Sequence, residues 1–393
     1  MSGAGDRGQG VSTGAWAARP RSRRPRWRAR VPVRTLALLV VLAGGAAVLQ
    51  LQGPWWSGSA FADAEDELAE AGDEATAPPS PVRLEPPSEI DLGPFDRPSP
   101  TAPLTGVELD DEEAEELEQR PAAIVKIPNN ERAHPHTGLE HADVVYEQET
   151  EGGTTRFAAV FHSTHPDVVG NIRSARPVDI SLVAPYEGVF VYAGARGEVL
   201  QMIEAAELTS VGAGGPGYFT QAHRNAPHHL YSRLPEAVAE RDAPAPPAKP
   251  WSFSQDPPAG GHRLTEPLRV LMSSIAATTW EYDEDAGVFR RLQNDRPHEV
   301  TGPERIGASN VVILDVTVTG RDSAGAPVYR MEDGGDALLL RDGRLYEIGW
   351  EKPDVRAHLR LVDATHDARL RPGSTWVLLT YDGRVDELLE QVR

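Results

Sequence analysis

Cysteine is absent from all 393 residues. Disulfides, thiolate nucleophiles, cysteine-held clusters and a lipid-bearing N-terminal cysteine are therefore excluded. An exported chain of this kind must draw its stability from packing alone. Lysine is nearly absent as well: it occurs only at 126, 249 and 352, so arginine supplies almost all the positive charge. Familiar catalytic patterns are also missing. There is no G-x-S-x-G, no P-loop, no dinucleotide-binding glycine pattern and no H-E-x-x-H. The glycine-rich "GAGGPG" at 212–217 lacks both a strand–helix setting and a lysine, and reads as a loop. No repeat of solenoid length occurs. Nothing here implies a cofactor.

What is present in excess is acid. The chain carries 59 acidic and 39 basic residues, a net charge of −20. Such a body repels nucleic acid, which is excluded as a partner. The charge is uneven. Residues 1–34 are strongly basic, and 63–119 are strongly acidic with only Arg83 and Arg97 opposing.

Between these lies "TLALLVVLAGGAAVLQLQGPWW", residues 35–56. With the arginines held inside and Trp55 and Trp56 at the outer interface, it reads as a spanning signal anchor. The rival reading is a signal peptide cleaved after Ala62, because "AFA" precedes Asp63. In either case the remainder faces outward from the cytoplasm.

The expected organisation is a basic cytoplasmic head (1–34), the apolar segment (35–56), and an acidic, proline-rich, disordered linker (57–120). An α/β domain with a mixed sheet follows (121–240), then a proline-rich linker (241–263), then a mostly antiparallel β domain (264–393). Strands are predicted at 122–127, 142–149, 155–162 and 188–195, with "EGGT" (151–154) turning the second into the third. Helices are predicted at 177–184, 197–207 and 233–240, a short one within 107–119, and a helix-like run at 264–275. Short β runs follow at 278–283, 287–292, 309–318, 327–331, 336–341, 344–350, 357–363 and 374–381.

Three polar clusters could carry chemistry. Glu147, Glu149 and Glu151 alternate along one strand, so they are expected to share a face. Arg156 on the returning strand is placed to pair across, with Arg173, Arg176 and Arg196 as further partners. In "RSARP", Arg173, Ser174 and Arg176 precede Pro177, which suits a helix start and hence an anion. Asp179 in the first turn already supplies negative charge there. In "AHRNAPHHLYSR", Arg224, His228 and His229 crowd a proline-fixed turn. The histidine spacings are not those of a metal site, so none is assigned. No catalytic residue is assigned either. Trp280, Tyr282, Phe289, Trp350 and Trp376 read as core or turn anchors.

The series "TGLEHADVVYEQETEGGTTRFAAVFHS…VGNIRSARP…YAGA…RNAPHHLYS", with "GDALLLRDGRLYEIGWEK" and "LRPGSTWVLL", resembles the YerB-like bacterial lipoprotein family over about residues 121–383. The resemblance implies a two-domain, extracytoplasmic, surface-anchored protein of unknown function, with no catalytic residues to carry over. This chain departs from the family at Pro128, where the family has an acid, at His134 in place of an arginine, and at His229. The missing lipid-bearing cysteine favours the helix as the anchor. Three readings follow, in order. The first is a binding module for a polar or anionic ligand such as a cell-wall polymer fragment, held by Glu147, Glu151, Arg156, Arg173, Ser174, Arg176, Arg224 and His228. The second is an envelope scaffold with unknown protein partners. The third is a hydrolase or transferase on wall material, with Glu147 or Glu151 as acid/base and His228 in support.

Overall fold

The computed structural model describes residues 99–393, apart from 240, 364 and 365. The basic head, the apolar segment 35–56 and the linker up to 98 lie outside the described residues. Structure begins earlier than expected. Residues 101–108 fold back on themselves, and helix α1 (Asp111–Glu118) follows. Asp110 and Glu113 cap α1 reciprocally. Ala102, Leu104 and Leu117 are buried, so the stretch 101–120 belongs to the folded body and not to a linker. Apolar side chains spaced through an acidic sequence were enough to dock it.

The architecture is mostly β. A central eleven-stranded sheet holds strands β1 (Ala123–Pro128), β2 (Val144–Glu149) and β3 (Thr155–Phe161). The hairpin β2–β3 forms as expected, with Glu147 opposite Phe157 and Gln148 opposite Arg156. Gly152 and Gly153 sit at φ +69° and +74°, a turn that side-chain-bearing residues resist. Strand Val189–Tyr192 runs parallel to β1, so the sheet is mixed. It continues through the second half of the chain. Strand Thr375–Thr380 pairs in parallel with β2 and also with Asn310–Asp315, and the strands Gly334–Arg341 and Arg344–Glu351 follow outward. The sequence from 264 onward therefore does not stay in a separate sandwich. Its strands complete a sheet begun by the first half.

Both faces of this sheet are covered, which is why its strands read as near-continuous apolar runs. On one face, Ala123, Val125, Ile127, Val145 and Phe157 pack against a second, five-stranded sheet and against the C-terminal helix Arg384–Val392 through Val385, Leu388 and Leu389. The other face meets helices α2 (Pro177–Val183) and α3 (Gly197–Ala205). The run at 264–275, expected to be helical, contains instead the edge strand Leu268–Leu271, whose burial alternates buried–exposed. Period two, with Pro267 ahead of it, outweighed helical composition. The proline-rich 241–263 is not a free linker either: Trp251 is buried and donates its indole N–H to the Leu359 carbonyl at 2.8 Å. Trp280, Phe289, Trp350 and Trp376 are core residues, as expected.

Candidate functional site

Strand alternation decides the fate of the three glutamates. Val145 and Glu147 point toward the five-stranded sheet, while Tyr146 and Gln148 point toward α2. Glu147 is fully buried and bonded to Arg291, itself 0% exposed, at 2.8 Å. Asn129 Nδ2 (3.0 Å) and Thr155 Oγ1 (2.8 Å) also donate to Glu147. The Arg291 guanidinium lies 5.1 Å from the ring centre of Trp376 and 5.3 Å from that of Phe157. This is a sealed ion pair between two sheets, not one wall of a cleft. Glu149 turns to a different set, Arg321 at 3.0 Å and the Tyr381 hydroxyl. The expected row of carboxylates on one open face is thus three separate sites.

Three histidines converge beside the sealed pair: His134, His136 and His298, with ligating atoms within 4.8 Å of one another. Sequence reading missed this cluster, because His298 lies 162 residues from His136. Its hydrogen bonds assign the tautomers. Pro128 O only accepts, so His136 Nε2 carries the proton (2.7 Å). His136 Nδ1 therefore accepts from His298 Nε2 at 2.8 Å, and His298 Nδ1 accepts from Arg291 Nη1 at 2.7 Å. His134 Nε2 donates to Asn129 Oδ1 at 3.0 Å. Of six ring nitrogens, only His134 Nδ1 keeps a lone pair uncommitted. A metal needs several such lone pairs and would sit beside a guanidinium, so the cluster does not fit one. Burial holds His136 and His298 well below their ordinary pKa and His134 down at about 4.

At the far end of the hairpin the chemistry differs. Glu151 receives Arg156 Nη2 at 2.6 Å and Arg176 Nε at 2.8 Å, with a second bond from Arg176 Nη2. Burial would raise its pKa, but the bond from Arg176 and the charge of Arg156 outweigh that and hold it at about 2. Such a carboxylate cannot act as a general acid near neutrality. With Glu147 sealed against Arg291 and Glu151 held ionised by two arginines, neither glutamate of the hydrolase reading is available as a general acid.

Segment 171–176 carries the third arginine. Its backbone is pinned on three sides: Ile172 N–H to Leu230 O, Arg173 N–H to Lys126 O, and Ala175 N–H to Gly194 O, at 2.8 to 2.9 Å. Ile172 and Ala175 are buried anchors. Ser174 contributes its carbonyl, which accepts from Arg156 at 2.8 Å and Arg176 at 3.3 Å. At the helix start, Asp179 already accepts the Arg176 backbone N–H at 2.6 Å. Asp179 also receives Lys126 Nζ at 2.6 Å, both side chains fully buried. The helix start is therefore satisfied internally.

Arg173 is the exception. Among the described residues its guanidinium has no hydrogen-bond or ion-pair partner, and its Nε is buried without one. Burial and then the charge of Arg176 lower its pKa. Among the described residues, the acids acting on Lys126, Arg156, Arg173 and Arg176 here are Glu151 and Asp179, four cations against two carboxylates. Arg224 is spent on the carbonyls of Arg132, His134 and Pro135. His228 feels the charges of Arg173, Arg224 and Arg132. Arg196 pairs with Asp322 and Glu198 and lies outside the cluster. An open groove of about 810 Å³ lies elsewhere, lined by Glu112, Glu116, Arg120, His165 and Val238.

Two models of one family match this chain: "Protein of unknown function (DUF3048) N-terminal domain" over residues 104–244 and its C-terminal domain over residues 268–377. The chain belongs to this two-domain family of unknown function. A relative from Bacillus subtilis (strain 168), named "Putative lipoprotein YerB", is 26% identical over 295 residues, 72% of this chain and 86% of its own. The crystal structure of the YerB protein from Bacillus subtilis shares the fold, with a TM-score of 0.62 at 22% identity, over 72% of this chain and 97% of that one.

Proposed function

We propose that the protein is an extracytoplasmic envelope component that binds a polar or anionic ligand at the Arg173 cluster. The relative named as a lipoprotein supports the location. Among the described residues no helix is long and apolar enough to cross a membrane. In this reading the anchor is the apolar segment 35–56, and the ligand is a cell-wall polymer or a fragment of one. The mass of the exported protein tests the anchor, and an N-terminus at Asp63 would sink it.

One observation carries the binding assignment. Arg173 is an uncommitted guanidinium on a pinned backbone, in a place where cations outnumber acids within a protein of net charge −20. A structural arginine commits its terminal guanidinium nitrogens to acceptors, as Arg156, Arg176 and Arg291 do. The test is calorimetric titration of wall-polymer fragments onto the full chain in detergent, for wild type and Arg173→Ala. Saturable binding that weakens about tenfold or more in the variant is expected. Equal binding by both proteins would leave the scaffold reading, which the interlocking bonds of Glu151, Arg156 and Arg176 favour.

A further inference from the structure

We propose that the Arg173 site takes a phosphate-type oxyanion held jointly by Arg173 and His228, and that an esterified polyol phosphate fits better than the free ion. This rests on the reading of the Arg173 cluster as a ligand site.

The unmet groups of the cluster define the ligand. His228 is 6% exposed. With Asn130 Nδ2 donating to His228 Nε2 at 3.4 Å, the arrangement on which this inference rests, the ring proton sits on Nδ1. That Nδ1 is buried without an acceptor, and so is Arg173 Nε. Two buried N–H donors, on separate loops, thus lack acceptors. Other buried donors also lack partners, Arg291 Nε and Trp280 Nε1 among them, but these two belong to neighbouring loops in a cationic setting, where one anion could serve both. The loops are adjacent, because Ile172 N–H bonds to Leu230 O at 2.8 Å, and Arg173 acts electrostatically on His228. Arg224 and Arg132 add positive charge around the same imidazole.

The class follows from donor geometry. A carboxylate presents two coplanar oxygens, which one guanidinium fork can satisfy by itself. Donors on two neighbouring loops are met more readily by the several oxygens of a tetrahedral oxyanion than by one planar carboxylate. The cation excess suits more than one negative charge. One acceptor is also unmet: Asn130 Oδ1 is buried with no donor, on the same side chain that bonds His228. An oxyanion offers it nothing, whereas a hydroxyl on the esterified group would donate to it. The same chemistry occurs in a small phosphate ester and in a phosphodiester-linked polyol polymer.

The test is titration of the full chain in detergent with inorganic phosphate, glycerol 3-phosphate, a glycerol phosphodiester oligomer and acetate. Wild type is compared with Arg173→Ala, Arg173→Lys, His228→Ala and, as a charge control, Arg263→Ala, whose exposed partner is Glu284. Thermal midpoints confirm that each variant is folded. Phosphate is expected to bind at least tenfold tighter than acetate, and glycerol 3-phosphate tighter again. Arg173→Ala should lose tenfold or more and His228→Ala several-fold. Arg173→Lys should fall between wild type and Arg173→Ala, and Arg263→Ala should match wild type. Tighter binding of the oligomer than of glycerol 3-phosphate would assign the polymer as source, and the reverse the small ester. Acetate binding as tightly as phosphate, yet still lost in Arg173→Ala, would overturn the phosphate class and leave the site standing. Unchanged phosphate binding in His228→Ala would overturn the joint site. Binding indifferent to Arg173, or no saturable binding of any probe, would overturn both this inference and the functional reading beneath it.

Discussion

Glu147 and Glu151 stand four residues apart on one hairpin, and they teach opposite lessons. Around Glu147 every charge is matched. One buried carboxylate meets one buried guanidinium, and neutral amide, hydroxyl and imidazole groups complete the set. Around Glu151 the count is unbalanced. The carboxylate is shared by Arg156 and Arg176, and Arg173 is left over. Ion pairs alone do not mark a binding site. The mark is a cation, fixed by its backbone, that the fold has not spent.

The sharpest way to break this comparison is at the sealed end. Arg291→Ala leaves Glu147 buried without its cation, a loss of about 3–5 kcal/mol. Urea denaturation should show it. Replacing both partners, Glu147→Met with Arg291→Met, should cost much less than the single change. A double variant as damaged as the single one would show that the site is more than a matched pair.

Acidification probes buried histidines there and elsewhere in the fold more gently. Burial lowers the folded pKa of His134, His162, His165 and His358 to about 4, against 6.5 for the free side chain. Between pH 6.5 and 4 the unfolded chain takes up protons that the folded one refuses, so stability is full above 6.5 and is lost as pH falls. Glu151, held at about 2, adds a loss below its ordinary 4.5. Asp143 and Asp315, raised to about 6, act in the opposite direction but are outnumbered. A falling thermal midpoint from pH 6.5 to 4 is expected. A flat or rising one would contradict the neutral, committed histidines.

At the open end the expected effects on stability shrink and those on binding grow. Among the described residues, Glu151→Gln removes the one carboxylate bonded to the guanidiniums of Arg156 and Arg176. It should cost about 1 kcal/mol, as for a partly exposed network, while strengthening anion binding severalfold. Arg173→Ala should change stability by no more than about 0.5 kcal/mol while weakening anion binding. Opposite signs at Glu151 and Arg173, read by titration, separate a ligand site from a structural network.

Much of this fold was legible in the sequence, and the reasons are local. Short runs rich in β-branched and aromatic residues, bounded by turn residues, placed β1, β2 and β3, and the glycine pair placed the hairpin turn. Arg173 and Arg176 stood out because they precede a proline at a helix start. What was not legible depends on distant pairing. Nothing near Glu147 announces that residue 376 lies beside residue 145, or that Arg291 arrives from another sheet. Alternation in 288–293 puts Arg291 on the same side as the buried Phe289, and that was the available signal for an inward-facing arginine. His298 carried no signal of its own. The strand at 268–271 was obscured by helix-favouring leucines.

The most direct test of the central claim is residue-resolved labelling of arginines with phenylglyoxal, read by mass spectrometry with and without phosphate. Phenylglyoxal prefers guanidiniums that are accessible, unpaired and lowered in pKa. Among Arg156, Arg173, Arg176 and Arg291, Arg173 is predicted to react first and to be protected by phosphate, with Arg291 inert. Labelling of Arg173 no faster than Arg156 and Arg176, or unprotected by phosphate, would contradict the account.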